Sequence, residues 1–123
     1  MNEQHMRDYY ATYNTEDAEA LAAFYADNVE FTSMAGTTVG PDAILESYRY
    51  LTSVFHDKMT PEQIDIDGDT AQVLITDRFE AKTEVPDFFG QSFAPGDTLE
   101  LKLKGTYTAR DGKFTRVVIE PAS

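Results

Sequence analysis

The sequence contains no cysteine and little positive charge, and both absences limit its chemistry. Without cysteine, disulfides, thiol nucleophiles and thiolate metal sites are excluded. Ten Lys and Arg residues stand against 22 Asp and Glu residues, which gives a formal net charge of −12. Because such a surface repels phosphate backbones and anionic lipid headgroups, we expect neither nucleic acid nor a membrane as a partner.

Long apolar runs are also absent. No stretch approaches the roughly 18 consecutive apolar residues of a membrane-spanning helix, and the polar start MNEQHMRDYY lacks the apolar core of a secretory signal. We therefore expect a cytoplasmic protein. The 123 residues are 41% hydrophobic and show no internal repeat, which predicts one globular domain over residues 1–123.

Histidine is scarce too, since only His5 and His56 occur. The two residues are far apart and show no paired ligand spacing, so we expect no metal site. His56 follows a helical pattern and precedes Asp57, which predicts that its imidazole caps the negative end of that helix. His5 is expected to lie in solvent.

Helical periodicity dominates the first part of the chain. Met6, Tyr9, Tyr10 and Tyr13 recur at helical spacing and predict a helix over residues 3–13. Asn14 or Thr15 would cap a second helix, which carries Leu21, Phe24 and Tyr25 inward and ends near residues 26–28.

A short strand and a third helix follow. Alternation predicts the strand over residues 29–32, and small residues predict a turn-rich loop over residues 34–40. Pro41 suits the first position of a helix, because the missing N–H costs no hydrogen bond there. Apolar residues then recur with helical spacing as far as Phe55, which predicts one wide buried face.

From Met59 onward the hydrophobic period changes to two. Alternation and glycine-containing turns predict four strands, over residues 63–66, 70–82, 97–109 and 114–120. Helices followed by an antiparallel meander predict an α+β fold. On the second of these strands an aspartate shares its face with four apolar residues: Ala71, Val73, Ile75, Asp77 and Phe79.

The segment over residues 83–96 is too irregular for a helix and unusually aromatic for a loop, with Phe88, Phe89 and Phe93. We interpret it as a connection that folds over a pocket mouth or over a neighbouring subunit.

Four segments carry a resemblance that covers the whole chain: YNTED at residues 13–17, LAAFYADNVEF at 21–31, GPDAI at 40–44 and DGKFTRV at 111–117. In this order the chain resembles the nuclear transport factor 2-like (cystatin-like) superfamily, and within it the SnoaL-like and ketosteroid-isomerase-like members. The resemblance implies a cone of three N-terminal helices packed on a curved, mainly antiparallel sheet that encloses a pocket.

The resemblance also assigns roles to individual residues. Tyr9 falls where the isomerases keep the tyrosine that donates to the substrate oxyanion, and Tyr25 and Tyr48 fall where related enzymes keep supporting tyrosines. The expected general base aligns with Ser33, and the expected protonated aspartate aligns near Leu103 or Gly105. Because these residues cannot fill the roles, steroid isomerisation by that machinery is not expected.

Asp77 departs from the family pattern, since its face lines the cavity in this fold and its position is usually apolar. Burial among apolar side chains would raise the pKa of the carboxyl towards the working range of a general acid or base. Two structural alternatives remain: the strand twists enough for Asp77 to reach the rim, or Asp77 anchors a tyrosine or arginine.

The resemblance implies a cofactor-independent acid–base enzyme of isomerase or cyclase type that acts on a hydrophobic cyclic or polyketide-like molecule. We expect Asp77 and Tyr9 to be catalytic, no metal, and a homodimer formed through the outer face of the sheet. A non-catalytic module that binds a small apolar ligand or dimerises is the alternative, and an accessory subunit is a third. The expected ligand-binding residues are Tyr13, Tyr25, Tyr48, Phe55, Val73, Ile75, Phe79, Leu103, Tyr107 and Val117.

Overall fold

A computed structural model describes residues 1–88 and 90–122 of the chain. It contains three helices among these residues: α1 (Glu3–Tyr13), α2 (Ala18–Ala22) and α3 (Pro41–Val54). The prediction for the first helix is confirmed. Asn2 caps α1 by accepting a hydrogen bond of 2.8 Å from the His5 backbone N–H.

The remaining elements are strands: β1 (Tyr25–Ser33), β2 (Gly36–Val39), β3 (Phe55–Asp67), β4 (Thr70–Ala81), β5 (Val85–Phe88), β6 (Gln91–Phe93), β7 (Thr98–Arg110) and β8 (Lys113–Pro121). Six of them form a curved sheet in the order β2-β1-β8-β7-β4-β3. The pairing of β1 with β8 is parallel, and the other four pairings are antiparallel. The helices pack on this sheet, so the expected α+β class is confirmed.

The second helix is shorter than its periodicity predicts. It ends at Ala22, and Tyr25 already belongs to β1. The Phe114 backbone N–H donates to the Phe24 carbonyl over 2.8 Å, and Tyr25 lies beside Phe114 in the sheet. Long-range strand pairing therefore overrides the local helical pattern at this point. The N-cap of α2 is Asp17, whose carboxylate accepts from the Ala20 N–H.

The third helix also ends early, at Val54. Phe55 and His56 pair with Ala81 and Glu80 of β4, so both residues lie in β3. The expectation that His56 caps α3 is wrong. Its Nδ1 lies 3.6 Å from a carboxylate oxygen of Glu16 instead.

Two predicted loops contain strands. The loop after the first strand forms β2, which pairs with β1 as a hairpin, so the sheet is larger than the predicted meander. The aromatic segment forms a second hairpin from β5 and β6. Phe88 and Phe93 of this hairpin pack on Phe55 and form an aromatic cluster at one end of the sheet. Phe89 lies outside the described residues.

No helix in the described ranges is both long enough and apolar enough to span a membrane.

Candidate active site

A cavity of about 780 Å³ opens between α3, the β1–β2 hairpin and the inner face of the sheet. The helix contributes one face, at helical spacing: Ala43, Glu46, Ser47, Tyr50 and Leu51. Phe31, Phe79, Leu101, Leu103 and Ile119 supply an apolar lining from the sheet. Exposed Tyr50 and Met34 mark the mouth. A volume of this size suits an organic molecule of ordinary metabolite size.

Two carboxyl groups lie in the wall of this apolar cavity. Asp57 on β3 and Asp77 on β4 are 4% and 2% exposed, and both line the cavity. In the register Asp57 lies opposite Phe79 and Asp77 lies opposite Met59, so the two aspartates are diagonal neighbours on one face. The two carboxyl groups are close enough to share a proton. We call this pair the aspartate dyad.

Two oxygens of the dyad accept no hydrogen bond from any described residue outside the dyad. Oδ1 of Asp57 and Oδ1 of Asp77 are buried, and neither accepts an N–H or O–H from another described residue. If both carboxyls were ionised, two negative charges would face each other in an apolar wall. One proton held between them removes that repulsion and supplies the missing donor.

Burial determines how the dyad titrates. Burial is the largest cause, and together with the hydrogen bond to Asp57 and the charge of Asp57 it raises the pKa of Asp77 to about 10. Burial also raises the pKa of Asp57, but hydrogen bonds from Asp77 and Tyr13 oppose that rise. The proton that the pair shares therefore lies on Asp77, and Asp57 is the more acidic partner.

Tyr13 makes the dyad asymmetric. Its hydroxyl donates to Oδ2 of Asp57 over 2.7 Å. Burial and the nearby aspartate charges hold the pKa of this phenol well above its usual value, so Tyr13 stays a donor. Asp77 receives no such bond in the described structure. The donor on Asp57 alone favours the ionised form of that residue.

Hydrogen bonds fix the end of α1 next to the dyad. The Tyr48 hydroxyl donates to the Tyr13 carbonyl over 2.5 Å. The Asn14 side chain accepts from the Met59 N–H and donates to the Met59 carbonyl, over 2.8 and 2.9 Å. Asn14 therefore binds β3 two residues beyond Asp57. The prediction that Asn14 or Thr15 caps the second helix is wrong, because Asp17 is the N-cap.

Tyr9 is not placed to donate to a substrate. It is 2% exposed, lines neither this cavity nor the smaller one beside it, and its hydroxyl lies 2.7 Å from that of Tyr25. Its ring packs against Tyr10, Tyr107 and Phe114 in the core. Helical periodicity correctly put Tyr9 on the buried side of α1, but at this position the buried side meets the core, whereas Tyr13 one turn later meets the cavity.

The remaining predicted ligand-binding residues fall into two groups. Phe79 and Leu103 line the main cavity, Tyr25 and Tyr48 line an adjoining cavity of about 200 Å³, and Tyr13 lines both. The other five lie deeper in the packed core and line neither cavity: Phe55, Val73, Ile75, Tyr107 and Val117.

Close contacts with Tyr10 and Gly105 fix the position of Tyr107. Its hydroxyl accepts from that of Tyr10 over 2.7 Å, and its ring fills the space beside Gly105. A Cβ on Gly105 would lie 2.7 Å from the Tyr107 ring, so no room remains for a ligand there.

Sequence reasoning missed Asp57. Phe55, Asp57 and Met59 alternate along β3, but the helical spacing of apolar residues continues to Phe55 and predicts a helix up to this point. A period of two beginning at Phe55 was the available signal. The cavity-lining residues Glu46 and Tyr50 were also missed, because they lie beside the apolar face of α3 that marks the core. Ser33, which aligned with the expected base, does line the cavity.

No group of three or more His, Asp or Glu side chains that could hold a metal ion occurs within residues 1–88 and 90–122.

Comparison with known proteins supports the fold. A family model described as a SnoaL-like domain matches residues 6–117. No curated protein matches the sequence. The solved structure of an LEH-like epoxide hydrolase from M. tuberculosis superposes with a TM-score of 0.77 at 13% identity, covering 96% of this chain and 80% of that one.

Two further solved structures are similar. An NTF2-like protein of unknown function from Burkholderia pseudomallei has a TM-score of 0.77 and 20% identity, with 96% of this chain and 88% of that chain covered. A putative polyketide cyclase from Sinorhizobium meliloti has a TM-score of 0.71 and 19% identity, with coverage of 96% and 94%. At these identities the likeness establishes the fold.

Proposed function

The chain belongs to the SnoaL-like domain family, and on this basis we propose that it is an acid–base enzyme of isomerase or cyclase type. Its substrate is a hydrophobic cyclic or polyketide-like molecule, and no cofactor takes part. The observation that carries this proposal is the aspartate dyad, two adjacent buried carboxyls in the wall of an apolar cavity.

The dyad supplies both partners of a proton transfer. The Asp57 carboxylate removes a proton from a carbon beside a carbonyl group. As Asp57 becomes protonated, the O–H of Asp77 turns from Asp57 and donates to the carbonyl oxygen, where negative charge develops. Return of the proton to another carbon, or attack of the enolate carbon on a second carbonyl, completes isomerisation or ring closure. General acid–base catalysis of this kind contributes about 10²–10⁴-fold to a rate.

The family resemblance gave the supporting role to Tyr25 and Tyr48, and in this proposal Tyr13 has that role. Its hydrogen bond holds the Asp57 carboxylate in one orientation, and its ring lines the cavity. Enzyme names among the similar solved structures, an epoxide hydrolase and a putative polyketide cyclase, support a catalytic role.

Proton exchange tests the proposal without knowledge of the natural substrate. With 2-tetralone as probe, we expect the protein to accelerate exchange of the carbon-bound protons beside the carbonyl in D₂O, followed by NMR. Asp57→Asn and Asp77→Asn should each lower the rate by about 10²-fold or more, while binding of the probe changes by less than about threefold.

Asp65→Asn is the matched control, because Asp65 is an exposed residue of the same strand β3. It should exchange protons at the wild-type rate. Unchanged exchange in both dyad variants would contradict the proposal. Tight binding with no exchange in any variant would favour the non-catalytic ligand-binding module.

Hydrolysis of a hydrophobic epoxide is a second candidate, and the same dyad favours it. Ionised Asp57 would accept a proton from a water molecule as the water oxygen attacks one ring carbon, and Asp77 would protonate the departing epoxide oxygen to give a diol. Cyclohexene oxide in ¹⁸O-labelled water distinguishes this reaction, since one labelled hydroxyl should appear in the product.

We also propose a homodimer in the cytoplasm that forms through the outer face of the sheet. Leu74 lies on this face and is 40% exposed, with Arg78 further along the same strand and Lys102 on the neighbouring strand β7. Leu74→Asp should convert the dimer to a monomer in light scattering after gel filtration. Val39→Asp, at a more exposed apolar residue on β2, is the control and should leave the mass unchanged.

A further inference from the structure

The charges that line the cavity all have one sign. Glu46 and the aspartate dyad contribute carboxyl groups, and none of the described residues in the lining is Lys, Arg or His. The molecule as a whole has a formal net charge of −12. A negative field is therefore focused into a cleft with apolar walls, where it acts more strongly than in open water.

A ligand with a carboxylate has no cationic partner among the described residues of this lining. Its charge would face the ionised carboxyl of Asp57, which is 4% exposed and weakly screened by salt. A positively charged nitrogen would instead meet carboxylate oxygens. The described lining offers carboxyl and hydroxyl oxygens as acceptors and contains no cationic side chain.

Aromatic rings add to the attraction for a cation. Tyr13, Phe31, Tyr50, Phe79 and Phe88 line the cavity, and ring faces attract ammonium groups within about 6 Å. Glu46 and Tyr50 lie one turn apart on α3 and are both exposed at the mouth. They present a carboxylate and a ring side by side.

From this arrangement we infer that the cavity takes a hydrophobic molecule with a protonated amine, and that the amine lies at the mouth beside Glu46 and Tyr50. The inference rests on the proposed function, because it names the substrate class of the same cavity. The amine end is assigned to the mouth because an ammonium beside Asp77 would favour the ionised carboxyl and remove the acid. The apolar part of the molecule then reaches the dyad.

Three probes with one rigid hydrocarbon cage test the charge preference: 1-adamantylamine, 1-adamantanol and adamantane-1-carboxylate. At neutral pH they carry positive, zero and negative charge. Isothermal titration calorimetry at low salt measures the three dissociation constants. That of the amine should be at least about fivefold below that of the alcohol, and that of the carboxylate at least about tenfold above it. About 0.5 M salt should bring the ratio of amine to alcohol affinity closer to one, because Glu46 is exposed.

Glu46→Gln should reduce the ratio of amine to alcohol affinity by about two- to fivefold and leave the affinity for the alcohol unchanged. Glu30→Gln is the matched control, with the same change of net charge. Glu30 is exposed on β1, and its neighbour Phe31 lines the cavity, so strand alternation directs Glu30 to the opposite face. This variant should keep the wild-type ratio.

Equal affinity for the alcohol and the carboxylate would overturn the inference, as would equal effects of Glu46→Gln and Glu30→Gln. Absence of binding by all three probes would also overturn it, because a cage of this size fits a cavity of about 780 Å³. If the three probes show no charge preference while proton exchange still occurs, only the inference of an amine in the substrate is refuted. An amine preference without any exchange refutes the catalytic function alone.

Discussion

At the scale of single residues, the site depends on an unequal pair of carboxyls. Asp57 and Asp77 have similar burial, and they differ in that Tyr13 donates to Asp57. A hydrogen bond to a carboxylate favours the charged form, so one phenol decides which aspartate is base and which is acid. A phenylalanine at position 13 would keep the ring packing but remove the hydrogen bond that makes Asp57 more acidic than Asp77.

Tyr13→Phe should therefore change the pH dependence of catalysis. The hydrogen bond from Tyr13 lowers the pKa of Asp57, so its loss raises that pKa. The acidic limb of the rate profile, where the base becomes protonated, should move to higher pH. Rates of proton exchange with 2-tetralone between about pH 4 and pH 9 measure the shift.

Tyr48→Phe serves as the comparison for this prediction. It removes the bond to the Tyr13 carbonyl and leaves the Tyr13 hydroxyl on Asp57. A smaller shift of the acidic limb is expected for this variant. A profile of Tyr13→Phe that coincides with the wild type would contradict the assigned role of Tyr13.

The protonated aspartate also makes stability depend on pH. The pKa of Asp77 rises from 3.8 to about 10 on folding, chiefly through burial. Between these values the folded protein holds a proton that the unfolded chain has lost, so this group's contribution to the free energy of unfolding falls as the pH rises. Its slope is at most about 1.4 kcal/mol per pH unit.

Asp77→Asn should flatten that dependence, because the amide stays neutral throughout. Urea unfolding at pH 5, 7 and 9 should show the variant gaining stability relative to the wild type with each step. Asp65→Asn, at an exposed position, should keep the wild-type dependence. Parallel curves for the wild type and Asp77→Asn would show that Asp77 is ionised in the folded protein.

At the scale of elements, the site lies where β3 leaves α3 and passes the end of α1. The inner face of β4 and the bounds of α1 were predictable, because each shows one clear period over more than ten residues. The start of β3 was not. Phe55 continues the apolar spacing of α3, and pairing with Ala81, which is distant in the sequence, makes it a strand residue.

Asn14 stabilises this junction, and its loss should be costly. Asn14→Ala removes both hydrogen bonds to the Met59 backbone and leaves those partly buried groups without their partner. We expect the free energy of unfolding to fall by about 1–3 kcal/mol, measured by urea denaturation. Thr15→Ala, which removes an exposed side-chain bond to the Thr12 carbonyl, should cost less than about 1 kcal/mol.

At the scale of the whole molecule, a curved sheet and three helices leave a cavity between them, and the chain places acidic groups in it. The fold was predictable from ordered local patterns that agree with one architecture. The position of Tyr9 was not, because α1 buries tyrosines towards both the core and the cavity. Periodicity identifies the buried side of a helix and does not distinguish a packed neighbour from an open space.

The protonation of the dyad is the central claim, and carbon-13 NMR of the aspartate side-chain carboxyls measures it directly. The wild type should show one buried carboxyl that remains protonated at neutral pH and titrates near pH 10, and Asp77→Asn should remove that signal. Complete ionisation of both Asp57 and Asp77 at neutral pH would contradict the account.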